Sequence, residues 1–119
     1  MQVICDKVID AVTADTTKCI KVDKYSQIFV LVDYTRSGSA EGTITFYSSI
    51  DDKGLVKAAC GIKPVLTGTV DADGAVAYTT STAVWYEIVG VHKYLYIDWN
   101  ETVDGSTISV YVVGKQEQK

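Results

Sequence analysis

The chain has 119 residues, the length of one domain, and carries a net charge of −4. Val, Ile, Thr, Tyr, Phe and Trp, which favour β-strands, make up 52 of the 119 positions, and charged residues make up 22%. This composition excludes a disordered chain, a coiled coil and a collagen-like repeat. The ten lysines and single arginine are scattered, which argues against nucleic-acid binding, and no apolar stretch approaches the roughly 20 residues of a membrane span.

Short runs of β-branched and aromatic residues, separated by Gly, Asp and Ser, predict about eight strands. In chain order the clear and the weaker candidates are 2–12, 18–22, 27–35, 43–50, 55–59, 65–70, 75–79, 83–89, 93–99 and 107–113. No segment has the apolar spacing of a long helix. The sequence therefore predicts an all-β, single-domain antiparallel β-sandwich over residues 1–114, jelly-roll-like or immunoglobulin-like, followed by a solvated tail over residues 115–119.

Alternation along the strands predicts which side chains face the core, because successive residues of a strand point to opposite faces. Segments 43–48 and 107–112 alternate apolar and polar residues, as expected for antiparallel strands with one solvated face. The predicted core consists of Ile28, Val30, Val32, Ile44, Phe46, Val84, Tyr86, Ile88, Leu95, Ile97, Trp99, Ile108, Val110 and Val112.

A quasi-repeat links segments 30–34 (VLVDY) and 95–99 (LYIDW), and each is followed by a loop and a Thr-Ile-Thr-Phe type of strand. We interpret these as two hairpins of one plan, with an outward face that is too apolar for plain solvent contact. The outward residues are Phe29, Leu31, Tyr47, Tyr94, Tyr96 and Tyr111, our candidate protein interface. Three explanations stay open: cover by the same chain, a protein partner or second copy, or a carbohydrate-stacking platform that includes Trp85 or Trp99.

Residue types suited to catalysis or metal binding are sparse. Cys5, Cys19 and Cys60 form no CxxC pair, and we expect reduced, mostly buried thiols, with one disulfide as the alternative. His92, the single histidine, is expected at the surface or in a turn. We therefore predict no catalytic residues, no metal site and no cofactor. A small hydrolase built on carboxylates is a further hypothesis, and its candidate residues are Asp33, Glu87, Asp98 and Glu101.

Charged residues also interrupt the apolar start of the chain at Asp6, Lys7 and Asp10, before it reaches the length of a signal peptide. We therefore expect synthesis in the cytoplasm without a cleaved signal.

Segments 27–34 (QIFVLVDY) and 43–54 (TITFYSSIDDKG), with 85–99 (WYEIVGVHKYLYIDW) and the closing strand 107–113, resemble small β-sandwich virion proteins of tailed bacteriophages. In that family an aromatic residue is common at the position of Leu55. The resemblance implies a non-enzymatic structural component of the virion, made in the host cytoplasm: a capsid auxiliary or decoration protein, a head-fibre component or a tail component.

The same resemblance implies particular partners. They are the major capsid protein or other virion proteins, with self-association as a further option, and neither nucleic acid nor a membrane. The contacts are expected on the Tyr-rich face and on the loops 36–42 and 100–106. The alternative function is a carbohydrate-binding or adhesin-like β-sandwich module.

Overall fold

A computed structural model describes residues 2–71, 73–90 and 92–116. The fold is built from antiparallel strands. The strands are β1 (Gln2–Val12), β2 (Thr16–Lys21), β3 (Gln27–Arg36), β4 (Glu41–Ser49), β5 (Lys57–Ala59), β6 (Ile62–Pro64), β7 (Ala75–Tyr78), β8 (Thr82–Ile88), β9 (Tyr94–Val103) and β10 (Ser106–Gln116). They form two packed sheets, which confirms the predicted all-β sandwich. No helix long and apolar enough to cross a bilayer occurs in the described ranges.

The order of the strands distinguishes between the two predicted topologies. Sheet A has the order β1-β10-β3-β8-β6, and sheet B has the order β2-β9-β4-β5, with β7 also paired to β4. Without the three-residue strands β5 and β6, eight strands remain, in the orders β1-β10-β3-β8 and β2-β9-β4-β7. Consecutive strands among these eight cross from one sheet to the other, except β4 and β7, which pair within sheet B. This is the jelly-roll arrangement.

Segments 30–34 and 95–99 do not begin two hairpins within a sheet, as the sequence suggested. β3 pairs with β10 and β8 in sheet A, whereas β4, which follows it in the chain, pairs with β9 in sheet B. The loops after β3 and β9 therefore connect the sheets rather than adjacent strands. The two copies of the repeat consequently lie in opposite sheets.

The core lies between the sheets and agrees with the alternation of the sequence. Of the fourteen predicted core residues, all are buried except Val84, which is half-buried against the core. Trp99 is fully buried and lies on Gly42, where a Cβ would come within 2.2 Å of the indole ring. The Trp99 ring also packs beside that of Tyr34, with the ring centroids 5.6 Å apart.

Two local predictions differ from the structure. Segment 65–70 is a turn rather than a strand: Gly68, at φ +70°, donates its backbone N–H to the carbonyl of Pro64, so the chain reverses and Asp71 pairs with Ile62. At the other end, β10 continues through Lys115 and Gln116, which pair with β1 and so are not a solvated tail. The remaining tail positions, 117–119, lie outside the described residues.

Candidate functional site

The six residues of the predicted interface point away from the core, but they lie on two surfaces. Phe29, Leu31 and Tyr111 lie on the outward face of sheet A, which we call outer face A. Tyr47, Tyr94 and Tyr96 lie on the outward face of sheet B, outer face B. The single face expected from the sequence is therefore corrected to two, because the copies of the quasi-repeat occupy opposite sheets.

Outer face B is partly covered by the chain itself. The rings of Tyr47 and Tyr96 pack edge to face, with centroids 5.9 Å apart. Gly54 lies so close to Tyr96 that a Cβ there would come within 2.2 Å of the ring. The Lys57 ammonium lies 4.7 Å from the Tyr96 centroid and 5.4 Å from that of Tyr47. The loop 50–56 and Lys57 therefore cover these two tyrosines.

The Asp51 carboxylate organises this loop. Its Oδ1 accepts hydrogen bonds of 2.9 Å from the backbone N–H groups of Lys53 and Leu55, and its Oδ2 accepts one of 2.7 Å from Val56. These bonds stabilise the charged form, so the pKa of Asp51 lies below its ordinary value. Lys57 closes the loop by donating to the carbonyl of Gly54 at 2.8 Å.

Acid should loosen the loop 50–56. Folding lowers the pKa of Asp51. The stabilisation of the loop by the ionised carboxylate is therefore fully present above the ordinary pKa of about 4, and it is lost as the pH falls through the lower pKa of the folded state. We expect the backbone amide resonances of Lys53, Leu55 and Val56 to shift together in that range in an NMR titration. In Asp51→Asn this transition should vanish, and its persistence there would contradict the role of the carboxylate.

Outer face A carries two rows of side chains that run across the strands. One row consists of Cys5, Val113, Phe29, Glu87 and Lys63, and the next of Lys7, Tyr111, Leu31 and Trp85. Val65 extends the second row, because its N–H donates to the carbonyl of Trp85 at 3.0 Å. Trp85 is 42% exposed and Val65 is 51% exposed. The centre of outer face A is thus apolar across three adjacent strands.

Charged side chains surround this apolar centre. Lys63 pairs with Glu87 at 3.2 Å, and Lys7 pairs with Asp10 at 2.7 Å. The pKa of Glu87 is lowered by its hydrogen bond from Gln27 and by Lys63. In the adjoining rows, Lys115 lies opposite Gln27 and Asp33 lies opposite Ser109.

The sequence analysis missed a further candidate contact region: the segment 50–74 between β4 and β7, which we call the insertion. The chain has ten exposed large hydrophobic residues among those described, and six of them lie in this segment. They are Ile50, Leu55, Val56, Val65, Leu66 and Val70. Leu66 is 97% exposed and Leu55 is 80% exposed, so these side chains have little cover from their own chain.

The loops 36–42 and 100–106, named as interface loops from the sequence, do meet. The Ser37 N–H donates to the carbonyl of Gly105 at 3.0 Å. Beside them, Thr13, Ala14, Asp15, Glu101 and Asp104 line an open concavity of about 590 Å³. Within the described ranges, no cluster of three His, Cys, Asp or Glu side chains is placed to hold a metal ion.

The three cysteines are free thiols, and all lie within the described part of the chain. Only Cys60 is buried, and burial raises the pKa of its thiol to about 11. Cys19 is half-buried and Cys5 is exposed. The expectation of reduced thiols agrees with this arrangement, whereas the expectation that they are mostly buried holds for Cys60 alone.

His92 follows the expectation of a turn residue. It is half-buried, and its ring nitrogens lie 2.8 Å from the Ser48 hydroxyl and 2.8 Å from the carbonyl of Val89. The imidazole therefore joins the loop before β9 to β4 and to the end of β8.

The carboxylates considered for a hydrolase are not brought together. Asp33 and Glu87 lie on outer face A in different rows, and Asp98 lies on outer face B. Glu101 accepts hydrogen bonds from the N–H and hydroxyl of Ser106 beside the turn between β9 and β10. Of the two tryptophans suggested for a carbohydrate platform, Trp99 is excluded by its complete burial, and Trp85 remains.

Comparisons with known proteins identify a structure of similar fold but no similar sequence. No family model and no curated protein matches the sequence. The crystal structure of the SPBc2 prophage-derived protein YomS aligns with a TM-score of 0.64 and 14% identity, over 95% of this chain and 94% of that chain. The chain therefore shares its fold with a prophage-derived protein.

Two further structures align less well. A chain of the Bacillus endospore appendages, a novel family of disulfide-linked pili, gives a TM-score of 0.49 at 19% identity, over 98% of this chain and 89% of that one. PirA gives 0.40 at 9% identity, over 94% and 91%. Both values fall below 0.5 and support no inference about this chain.

Proposed function

We propose that this chain is a non-enzymatic structural component of a bacteriophage virion, a capsid auxiliary or decoration protein that acts by contact with the major capsid protein or another virion protein. The observation that carries the proposal is the concentration of exposed aliphatic side chains on the insertion. Exposed apolar groups gathered on one segment mark a contact site for another protein. The fold shared with YomS supports a phage setting, and jelly rolls serve in viral capsid domains.

The insertion is suited to docking because part of it is ordered before it binds. The Asp51 carboxylate holds three backbone N–H groups of the loop 50–56, and Lys57 closes the loop on Gly54. Leu55 is therefore displayed on a fixed backbone. A loop that is already ordered loses less conformational entropy on binding, so more of the contact energy contributes to affinity.

Saturable binding to particles tests this proposal. Particles assembled from the accompanying structural genes without this chain should bind the purified protein at a fixed ratio in a sedimentation assay. Leu66→Asp should weaken binding at least tenfold, because a desolvated anchor residue contributes about 2 kcal/mol or more. Val3→Asp is the matched control, since Val3 is an exposed apolar residue outside the insertion and outside the loops 36–42 and 100–106. Absence of saturable binding to capsid, neck and tail components would refute the proposal.

Carbohydrate binding is the second candidate function, favoured by Trp85 on outer face A. Its half-exposed ring lies beside Leu31, with Glu87 and Lys63 in the adjacent row as hydrogen-bonding groups. Sugars stack on such rings, and jelly rolls also serve as lectin domains. A glycan screen followed by tryptophan fluorescence tests it: a bound sugar should change the emission of Trp85, and Trp85→Ala should abolish the change.

A further inference from the structure

The geometry points to outer face A as a self-association surface, where a second copy of this chain packs face to face about a two-fold axis. This inference uses the outward face of sheet A, to which only Lys63 and Val65 of the insertion belong, and it does not depend on the proposed function. It rests on the charge balance of the face, on the position of its charges relative to its apolar centre, and on its size.

The charge balance differs from that of the whole chain. Among the described residues, outer face A and its border carry six charged side chains, three lysines and three carboxylates, whereas the chain as a whole has a net charge of −4. They are Lys7, Lys63, Lys115, Asp10, Asp33 and Glu87. Two copies can therefore meet on this face without net repulsion, whereas a strongly charged partner would find no complementary field.

The positions of two of these charges match a two-fold axis. Lys115 and Asp33 take no part in the ion pairs of the described residues, and they lie at opposite ends of the face, about 20 Å apart along the strands. An axis that runs across the strands between the Phe29 and Leu31 rows exchanges these ends. The Lys115 row of one copy then lies over the Asp33 row of the other, twice per dimer.

The same axis places the apolar centre in the middle of the contact. Phe29 of one copy faces the Leu31 row of the other, and Trp85 of one copy lies over the Glu87 position of the other. The large apolar side chains therefore lose water while Lys115, Asp33 and the Lys7–Asp10 pair stay at the rim, and Glu87 keeps its ion pair with Lys63. This is the usual arrangement of a protein interface, an apolar core within a polar border. The Trp85 ring is the natural anchor, because tryptophan is enriched among residues that dominate binding energy.

The size of the face sets the strength of the contact. The face has about fifteen outward positions. Each covers about 33 Å², from the spacings between strands and between alternate residues, so the footprint is roughly 500 Å². A standard interface buries about 800 Å² per partner, so outer face A predicts a reversible dimer rather than an obligate one. We expect a concentration-dependent equilibrium between monomer and dimer, with a dissociation constant of roughly micromolar order.

A charge swap tests the register of the two copies by analytical ultracentrifugation of the purified protein. Asp33→Lys and Lys115→Glu should each raise the dissociation constant about tenfold, because each creates two like-charge contacts per dimer. The double variant should return to within about threefold of the original value, since each new lysine faces a new glutamate of the other copy. Lys115 and Asp33 are too far apart within one copy for such a rescue to arise internally.

Two controls keep the result interpretable. Thr43→Lys adds a lysine to a half-buried outward position of outer face B and should leave the dimer unchanged. Trp85→Ser removes the anchor without a change of charge and should abolish the dimer, while circular dichroism melting confirms that each variant is folded. A protein that stays monomeric, or a dimer insensitive to Asp33→Lys and Lys115→Glu, would overturn the inference. Binding to particles would be unaffected by that outcome, so the proposed function is tested separately.

Discussion

Replacement of Trp99 by alanine should lower the free energy of unfolding by about 3 to 5 kcal/mol. Trp99 is the largest fully buried side chain, and its ring fills the space above Gly42 and beside Tyr34. Removal of the indole leaves a cavity between the two sheets, beside Tyr34, that the surrounding side chains fill only in part. A domain of this size has a total stability of about 5 to 15 kcal/mol, so the loss is a large part of the whole.

The chain supplies its own matched control, because its other tryptophan lies at the surface. Trp85→Ala removes the same atoms from a side chain that is 42% exposed, and it should cost about 1 kcal/mol or less. Urea unfolding followed by circular dichroism measures both variants. If Trp99→Ala does not fold, Trp99→Phe gives the test: the Trp99 Nε1 has no hydrogen-bond partner, so only volume is lost. Equal costs at positions 85 and 99 would contradict the packing described.

Replacement of Gly74 by alanine should lower the free energy of unfolding by about 2 to 5 kcal/mol. Gly74 has a φ of +68°, and a Cβ there would lie 2.5 Å from the carbonyl oxygen of Cys60 and 2.6 Å from that of Phe46. Both obstacles are backbone atoms, and Phe46 itself donates its N–H to the carbonyl of Gly74 at 2.9 Å. Relief of the clash therefore requires the insertion to move away from β4.

Gly68 separates the steric cost from the conformational one. Its φ of +70° matches that of Gly74, but a Cβ at Gly68 would have no atom within 4 Å. Gly68→Ala should therefore lower the free energy of unfolding only by the strain of a left-handed backbone conformation, about 1 to 2 kcal/mol. Denaturant midpoints of the two variants give the comparison. A loss in Gly74→Ala no greater than that in Gly68→Ala would show that the contact with β4 is not the limiting feature.

The inward and outward phase of the strands was predictable from the sequence because it depends only on alternation within a strand. Ile28, Val30 and Val32 alternate with Phe29 and Leu31 in both the prediction and the structure. Burial of one face requires this pattern whichever strands are neighbours. The same reasoning explains why the predicted core needed so little correction.

The sheet in which each strand lies was not predictable, because it depends on pairings between distant residues. Tyr96 pairs with Tyr47 across sheet B, whereas Leu31, its counterpart in the quasi-repeat, pairs with Tyr111 across sheet A. No local pattern contains that information. The sequence therefore predicted correctly that these side chains point outward, but wrongly that they share one surface.

The insertion was missed because its apolar residues resemble those of strands. Segment 65–70 was predicted to be a strand from its valines and leucine, yet Gly68 turns the chain and leaves Leu66 exposed. Leu55 offered a signal, since an apolar residue directly after an Asp-Lys-Gly turn is placed where solvent is expected. Exposure itself follows from the tertiary arrangement, which alternation within one segment does not encode.

The position of β10 determines how folding can proceed. The strand lies between β1 and β3, so its pairings join residues near both ends of the described chain, such as Cys5 with Val113. During synthesis, β1 and β3 have no hydrogen-bonded link until residues 106–116 leave the ribosome. Contacts so distant in sequence place folding in the slow range of roughly milliseconds to seconds. Until then β1 lacks its pairing strand β10, and the charges of Asp6, Lys7 and Asp10 discourage it from pairing with other chains.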